Sequence, residues 1–296
     1  MDSITNISGW LSWFFSVENL KTIFTYNNDA PLIFTQFFFW AFFAVVLLFY
    51  SIVHKKRGLR NAYLFLVSLF FYYKTSGLFV SILLFSTMSD YIIGLLIHSS
   101  KKQVTKKIFV AVSVVINLFV LCYFKYAYFF TDAYNDFFQT DYHVFNHFAQ
   151  FTNTTMGTHF SVDSILLPVG ISFYTFQTIS YAVDVYREQI KPVKSILDFG
   201  FYVSFFPQLV AVPIVLSAEF IPQLYMSYSL SKYNFGLSLF WILKGLIKKV
   251  VIGDYIAVNF IDRVFDSPTM YTGFENLMAL YGYSLQVYAD FSGYTD

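Results

Sequence analysis

Gln177, Tyr181 and Asp184 stand at i, i+4 and i+7 in an apolar run, so a helix there carries all three on one face. Ser180 flanks them. The run is LLPVGISFYTFQTISYAVDVYR, residues 166–187, and 164–183 holds no formal charge. Hydrocarbon offers no partner to an amide, a phenol or a carboxylate, so such a stripe must face protein or trapped water. Ionisable groups placed this way suit a substrate or ion path. A plainer reading makes Asp184 and Arg187 an ion pair at a helix end. Pro168, Val169 and Gly170 predict a break where the run begins, tolerated only if neighbouring protein satisfies the freed backbone groups.

Three further polar sets lie in apolar surroundings: Pro207, Gln208 and Pro213; Lys244, Lys248 and Lys249; and Gln286, Asp290, Ser292 and Asp296. Two prolines in the uncharged stretch 199–218 predict a bent or re-entrant segment rather than a plain crossing. A charge at the centre of a membrane helix costs about 2.5–3.5 kcal/mol on insertion scales. Asp290 must therefore be paired, hydrated or neutral; the plainer reading is an interhelical hydrogen bond. The lysines read as a rim drawing in an anionic cytosolic donor, or simply as a solvated or lipid-facing edge.

Other chemistries find little support. There is no G-x-S-x-G elbow, P-loop, H-E-x-x-H or dinucleotide fingerprint. His54 and His98 fall at the ends of apolar runs. His143 and His147 have the i, i+4 spacing of a metal pair, but with no third ligand a solvated loop is expected and no metal. Cys122 is the single cysteine, which excludes an intrachain disulfide and reads as packing.

The elements that must position these residues are apolar helices. Hydrophobic residues make up 57% of the 296, charged residues 12%, and mean hydropathy is +0.56. That charged share is about half that of a soluble domain. A polytopic membrane protein in a lipid bilayer is expected. A net charge of +1 with no basic face argues against nucleic acid. The 39 Phe and 24 Tyr belong at helix seams and interfacial belts.

Along the chain, 1–30 reads as an interfacial segment rather than a signal peptide. Apolar runs follow at 31–53, at 59–73 (short, so tilted or in a thinned bilayer), at 75–97 around Asp90, and at 108–130 with Lys125. Basic clusters at 54–60 and 101–107 place those loops in the cytoplasm. The acidic loop 131–162 is then extracytoplasmic. Segment 233–265 begins apolar and turns amphipathic, its basic face on the cytoplasmic surface. The last run is 277–291, and the sequence stops at Asp296 as though cut within a helix.

LLPVGISFYTFQTISYAVDVYREQIKP, DFGFYVSFFPQLVAVPIV, LKGLIKKVVIGDYIA and LQVYADFSGYTD, in that order, resemble the membrane-bound O-acyltransferase (MBOAT) family, nearest its alginate O-acetyltransferase membrane subunits. The match is close over 166–296 and loose before it. The resemblance implies an all-α, polytopic fold, with broken or re-entrant helices around a central funnel, of which the single domain 1–296 is the N-terminal portion. It implies an acetyl group passed from a cytosolic thioester, acetyl-CoA or an acyl carrier, to an outer polysaccharide, with a periplasmic acetyltransferase partner, at a bacterial inner membrane. No bound cofactor is implied.

The family's essential histidine lies downstream of the FSGYTD-type block, so the catalytic residue is not assigned here. None of the five histidines matches it, and these 296 residues alone are expected to be inactive. Gln177, Tyr181, Asp184, Gln208, Asp290 and Ser292 become tunnel or scaffold candidates. Lys244, Lys248 and Lys249 become donor-side candidates. Where the family reads A-G-P-I-x-R, this chain has Val212 and Leu216 in place of glycine and arginine. Alternatives are D-alanyl transfer to teichoic acid, a non-enzymatic membrane subunit, or a small transporter relaying ions through Asp184 and Asp290.

Overall fold

A computed structural model describes residues 26, 37–156, 160–209, 215–227 and 229–296. The interfacial segment expected at 1–30 lies outside them apart from Tyr26, as do His159 and 210–214 with Pro213 and Val212. The described residues form helices and no strand.

Helix α1 (Phe37–Val53) packs on α2 (Arg57–Ser76), which a short turn joins to α3 (Val80–Ser99). Helix α4 (Gln103–Phe138) returns beside α3. The run expected at 59–73 is thus a 20-residue helix, because Arg57–Asn61 and Thr75–Ser76 find partners that keep them helical. Helix α4 has 36 residues and a length of about 54 Å at 1.5 Å per residue. It carries eight residues, 131–138, of the segment expected to be loop. Two helical stretches among the described residues, Arg57–Ser99 and Gln103–Phe138, are long and apolar enough to cross a membrane.

A short helix, α5 (His147–Met156), precedes α6 (Ile171–Tyr186). His143 lies before α5 begins, so the histidines do not form the helical i, i+4 pair. Then come α7 (Ile196–Ser204), α8 (Phe206–Leu209) and α9 (Ser217–Leu224). The segment 199–218 is therefore broken, as its prolines require.

Helix α6 is the centre of this first bundle, packing on α3, α4, α7 and α9. Its aromatic and aliphatic side chains Tyr174, Tyr181, Ala182 and Val185 are buried against Leu83, Ile97, Phe199 and Tyr202. A second aromatic cluster joins α1 and α2 to α8, with Phe206 5.3 Å from Phe71 and 5.8 Å from Phe42 between ring centres.

Two polar clusters pin the bundle. Between α3, α4 and α6, the buried Asp90 carboxylate accepts from Ser113 Oγ at 2.5 Å and Asn117 Nδ2 at 2.7 Å. Thr178 Oγ1 donates to Asn117 Oδ1 at 3.1 Å. At the opposite end, Arg60 belongs to the cluster expected to be a cytoplasmic flank. It is instead buried, donating to the carbonyls of Leu224 at 2.5 Å and Met226 at 3.2 Å. A cation there satisfies carbonyls that the end of α9 leaves open. Asn61 donates to Asp198 at 2.9 Å beside it.

The last two elements form a hairpin. Helix α10 (Lys232–Leu246) continues into two wide, π-helical stretches, Ile247–Asp254 and Ala257–Ile261, and then α11 (Asp262–Asp266). Helix α12 (Gly273–Thr295) opens with a capping box between Thr272 and Glu275 and runs back against it.

The break before α6 is built as the sequence suggests. Gly170 has φ +73°, and a Cβ there would collide with the Leu209 carbonyl. The freed backbone of Val169 is used on both sides: its carbonyl accepts from Tyr72 OH at 2.9 Å and its N–H donates to Ser76 Oγ at 3.3 Å. Gly170→Ala is expected to cost about 1–3 kcal/mol, as left-handed strain adds to the collision. Thermal unfolding in detergent checks this. Gly236→Ala, in helix α10 with open space around it, should not lower the midpoint.

Candidate functional site

Four helices converge where α7 breaks. Pro207 has no N–H, so Val203 loses its i+4 donor. The Phe206 N–H, which would have served the Tyr202 carbonyl, turns to Ser68 Oγ at 3.2 Å. Tyr202 O is thereby orphaned in a buried place, and two glutamines take it. Gln177 Nε2 from α6 and Gln208 Nε2 from α8 each donate to that one oxygen at 2.8 Å. The Tyr202 hydroxyl is shared between the carbonyls of Gln177 at 3.4 Å and Val215 at 3.3 Å.

The other residues of the α6 stripe have separate duties. Asp184 accepts from Ser217 Oγ at the first residue of α9, while Arg187 is exposed. The Asp184–Arg187 pair of the plainer reading is not formed. Tyr181 is fully buried, its hydroxyl accepting from the Val193 N–H at 3.1 Å and its ring 4.5 Å from that of Phe199. Gln177 and Gln208 thus meet, Asp184 ties α6 to α9, and Tyr181 braces the segment that follows α6.

The second polar group lies in the hairpin. Lys249 Nζ donates to Asp254 at 2.6 Å and to Asp290 at 2.9 Å. In an α-helix residues 249 and 254 sit about 140° apart around the axis. The π-helical stretch, bonded i to i+5, brings them onto one face. Lys248 Nζ donates to Ser292 Oγ at 2.7 Å and Asp296 at 2.5 Å, and Lys244 lies 3.4 Å from Asp296, over the Trp241 ring. The requirement that Asp290 be paired is met by Lys249. All three lysines pair with carboxylates.

Glycines allow this closeness. A Cβ on Gly245 would lie 2.5 Å from the Gly293 carbonyl, and one on Gly253 2.5 Å from Asp290 Oδ1.

A cavity of about 270 Å³ separates the two groups. Phe39, Trp40, Phe43, Phe206 and Pro207 form one wall, and Gly245, Lys249, Gly293, Tyr294 and Asp296 form part of the other. Gln208 and Ser292 each neighbour a wall residue in sequence. No direct hydrogen bond joins the glutamine group to Asp290. Among the described residues no three His, Cys, Asp or Glu cluster as a metal site.

Sequence reasoning missed Tyr202, Ser217, Asp254 and the Asp90 cluster. Asp90 in an apolar run, with Ser113 and Asn117 at i, i+4 in the next, was the available signal for the last. Nothing in a 3.6-residue periodicity signals the Lys249–Asp254 pair.

Known proteins were compared with the chain. No family model matches it. It is 32% identical to the peptidoglycan O-acetyltransferase of Helicobacter pylori, over 95% of this chain and 54% of that protein. It is 36% identical to the probable alginate O-acetylase AlgI of Azotobacter vinelandii, over 74% of this chain and 40% of that protein. For the Pseudomonas aeruginosa protein of the same name the values are 34%, 80% and 42%. The chain spans about half the length of the curated relatives it matches.

Two predictions follow from the bonding. Each glutamine covers for the other at Tyr202 O, so Gln177→Leu and Gln208→Leu should each cost about 1 kcal/mol. The double variant should lose more than their sum, leaving a buried carbonyl bare. Denaturant titration of the four proteins measures this coupling. Lys249→Met should lower the unfolding midpoint by leaving Asp254 and Asp290 facing each other. Adding Asp290→Asn should recover part of that loss, read by the same unfolding assay.

Proposed function

The chain belongs to the membrane-bound O-acyltransferase family, and from that premise we propose that it forms the membrane scaffold of an O-acetyltransferase acting on a surface polysaccharide. The observation that carries this is its identity of 32–36%, over 74–95% of its length, to proteins named for glycan O-acetylation. Alginate-type and peptidoglycan acceptors share a sugar hydroxyl, the group an acetyl ester requires. The donor is a cytosolic thioester, acetyl-CoA or an acyl carrier, and the site is a multi-pass protein of the bacterial inner membrane. A periplasmic acetyltransferase completes the route to the polymer.

In the transfer, the acceptor oxygen attacks the thioester carbonyl, the C–O bond forms, the C–S bond breaks, and the hydroxyl proton ends on the departing thiolate. A general base positioned at the hydroxyl eases that step. None of the described histidines lines the cavity. In this proposal the residues of this chain position the reacting groups, and the proton is moved elsewhere. Gln177, Gln208, Tyr181 and Asp184 hold the broken segment open beside the passage. Asp290 and Ser292, fixed by Lys249 and Lys248, hold its other wall, and Lys244 stands at the rim. The cavity that lies between the two groups is the path of the acyl group.

The experiment is transfer of labelled acetate in membrane vesicles. The purified chain should show no turnover above a heat-treated control. Co-expressed with the portion of the Helicobacter protein that it does not match, it should transfer label to polysaccharide. Turnover by the chain alone overturns the positioning role. Silence of the pair, where the intact Helicobacter protein transfers, overturns the proposed function.

A further inference from the structure

The Asp90 cluster contributes nothing to the proposed transfer and contains an unresolved imbalance. Asp90 is fully buried in α3, inside the longest apolar helical stretch, and no basic group lies within ion-pair distance among the described residues. Its donors, Ser113 Oγ and Asn117 Nδ2, are neutral, one on each carboxylate oxygen. A carboxylate has about four lone-pair sites, so Ser113, Asn117 and the nearby Thr178 hydroxyl leave at least one open.

Two other groups on the helices that carry this cluster are unused. Ser86 Oγ and Thr175 Oγ1 are buried and have no hydrogen-bond partner, and both residues have no exposed surface. Ser86 precedes Asp90 by four residues on α3, one turn back on the same face. Thr175 precedes Thr178, the residue that bonds Asn117, by three on α6. Helices α3 and α6 run parallel: Asp90 is level with Thr178 through Asn117, and a Cβ built on Gly94 would meet the ring of Tyr181. One turn back on both helices therefore brings Ser86 and Thr175 to the same level. A carboxylate and two free hydroxyls, all oxygen, all desolvated, come from two adjacent helices.

Buried polar groups left without partners call for an occupant that binds them. The donor set defines its chemistry. Oxygen ligands alone suit a hard cation and exclude the soft metals that thiolates or imidazoles take. A single carboxylate balances a single charge, whereas calcium sites draw on several oxygens, usually with more than one carboxylate. We propose that Asp90, Ser86 and Thr175 bind a dehydrated monovalent cation, of which sodium is the probe, and that it locks α6 to α3. The cation compensates the carboxylate and uses the open lone pairs of both hydroxyls. Asn117, held by Thr178, fixes the carboxylate from the far side.

The test reads unfolding of the full chain in detergent, with sodium, potassium or choline chloride at equal ionic strength. Sodium should raise the midpoint saturably, by on the order of 3 °C over choline. Ser86→Ala and Thr175→Val separate a ligand from a stranded hydroxyl. If the hydroxyls are ligands, each variant loses the sodium-dependent shift and melts lower in sodium. If they are merely stranded, removing them leaves the midpoint equal or higher, which overturns the proposal. Variants that melt lower while all proteins, the parent included, behave alike in the three salts show a bound water, and also overturn it. Asp90→Asn should abolish the sodium shift while keeping the side-chain volume. None of these readings depends on acyl transfer, so the cation site and the proposed enzyme role stand or fall separately.

Discussion

One carbonyl oxygen bears most of the architecture around the candidate site. Tyr202 O sits where α7 must stop, because the next residues turn and Pro207 cannot donate. In water such a group costs little. In an apolar interior an unpaired peptide group costs several kcal/mol by transfer measures. The chain meets that cost with two side-chain amides arriving from opposite directions, one from α6 and one from α8. The break is then a fixed feature, and Phe206 and Pro207 are held against the cavity. The same logic recurs before α6, where Tyr72 and Ser76 take up the backbone of Val169. Broken helices in this protein are built by neighbours supplying what the backbone has lost.

The charged hairpin solves a different problem by a different route. It gathers three lysines and three carboxylates into a space that glycines keep narrow. An α-helical register would turn Asp254 away from Lys249 and leave Lys249 with Asp290 alone. The π-helical stretch changes the angular spacing enough to close the set. The result is a set of paired charges, of which Lys249 and Asp296 reach a cavity of about 270 Å³ whose other lining residues are mainly apolar and aromatic. Such pairing gives side chains fixed directions, which a positioning role demands.

Much of this was legible in the residues. Apolar composition and uncharged runs pointed to membrane helices, and the family resemblance implied the all-α class. Pro168 to Gly170 and the prolines of 199–218 marked both breaks, and the cost of a lone carboxylate required a partner for Asp290. Periodicity could put Gln177, Tyr181 and Asp184 on one face, but not say which neighbour each would meet. Tyr181 turned to a backbone N–H, Asp184 to Ser217 rather than Arg187, and Gln177 to a carbonyl freed 25 residues downstream. Those outcomes depend on how α7 and α9 fold back, which is a tertiary fact. Arg60 shows the same limit: a basic cluster at a span end reads as a flank, and the sequence does not say that this member also bonds α9. The π-helical register was beyond reach because pattern reasoning presumes 3.6 residues per turn.

The Tyr202 carbonyl can be observed alone. Residues 202–203 are the sole Tyr-Val dipeptide in the sequence. Carbonyl-¹³C tyrosine with ¹⁵N valine therefore gives one coupled carbonyl signal in solid-state NMR of the protein in lipid. Two amide donors polarise that carbonyl, and removing either glutamine removes one. The account predicts that the signal moves in the same direction in Gln177→Leu and in Gln208→Leu, each relative to the parent. A signal unmoved by both substitutions would mean that the glutamines do not hold the break, and the account of the site would be wrong.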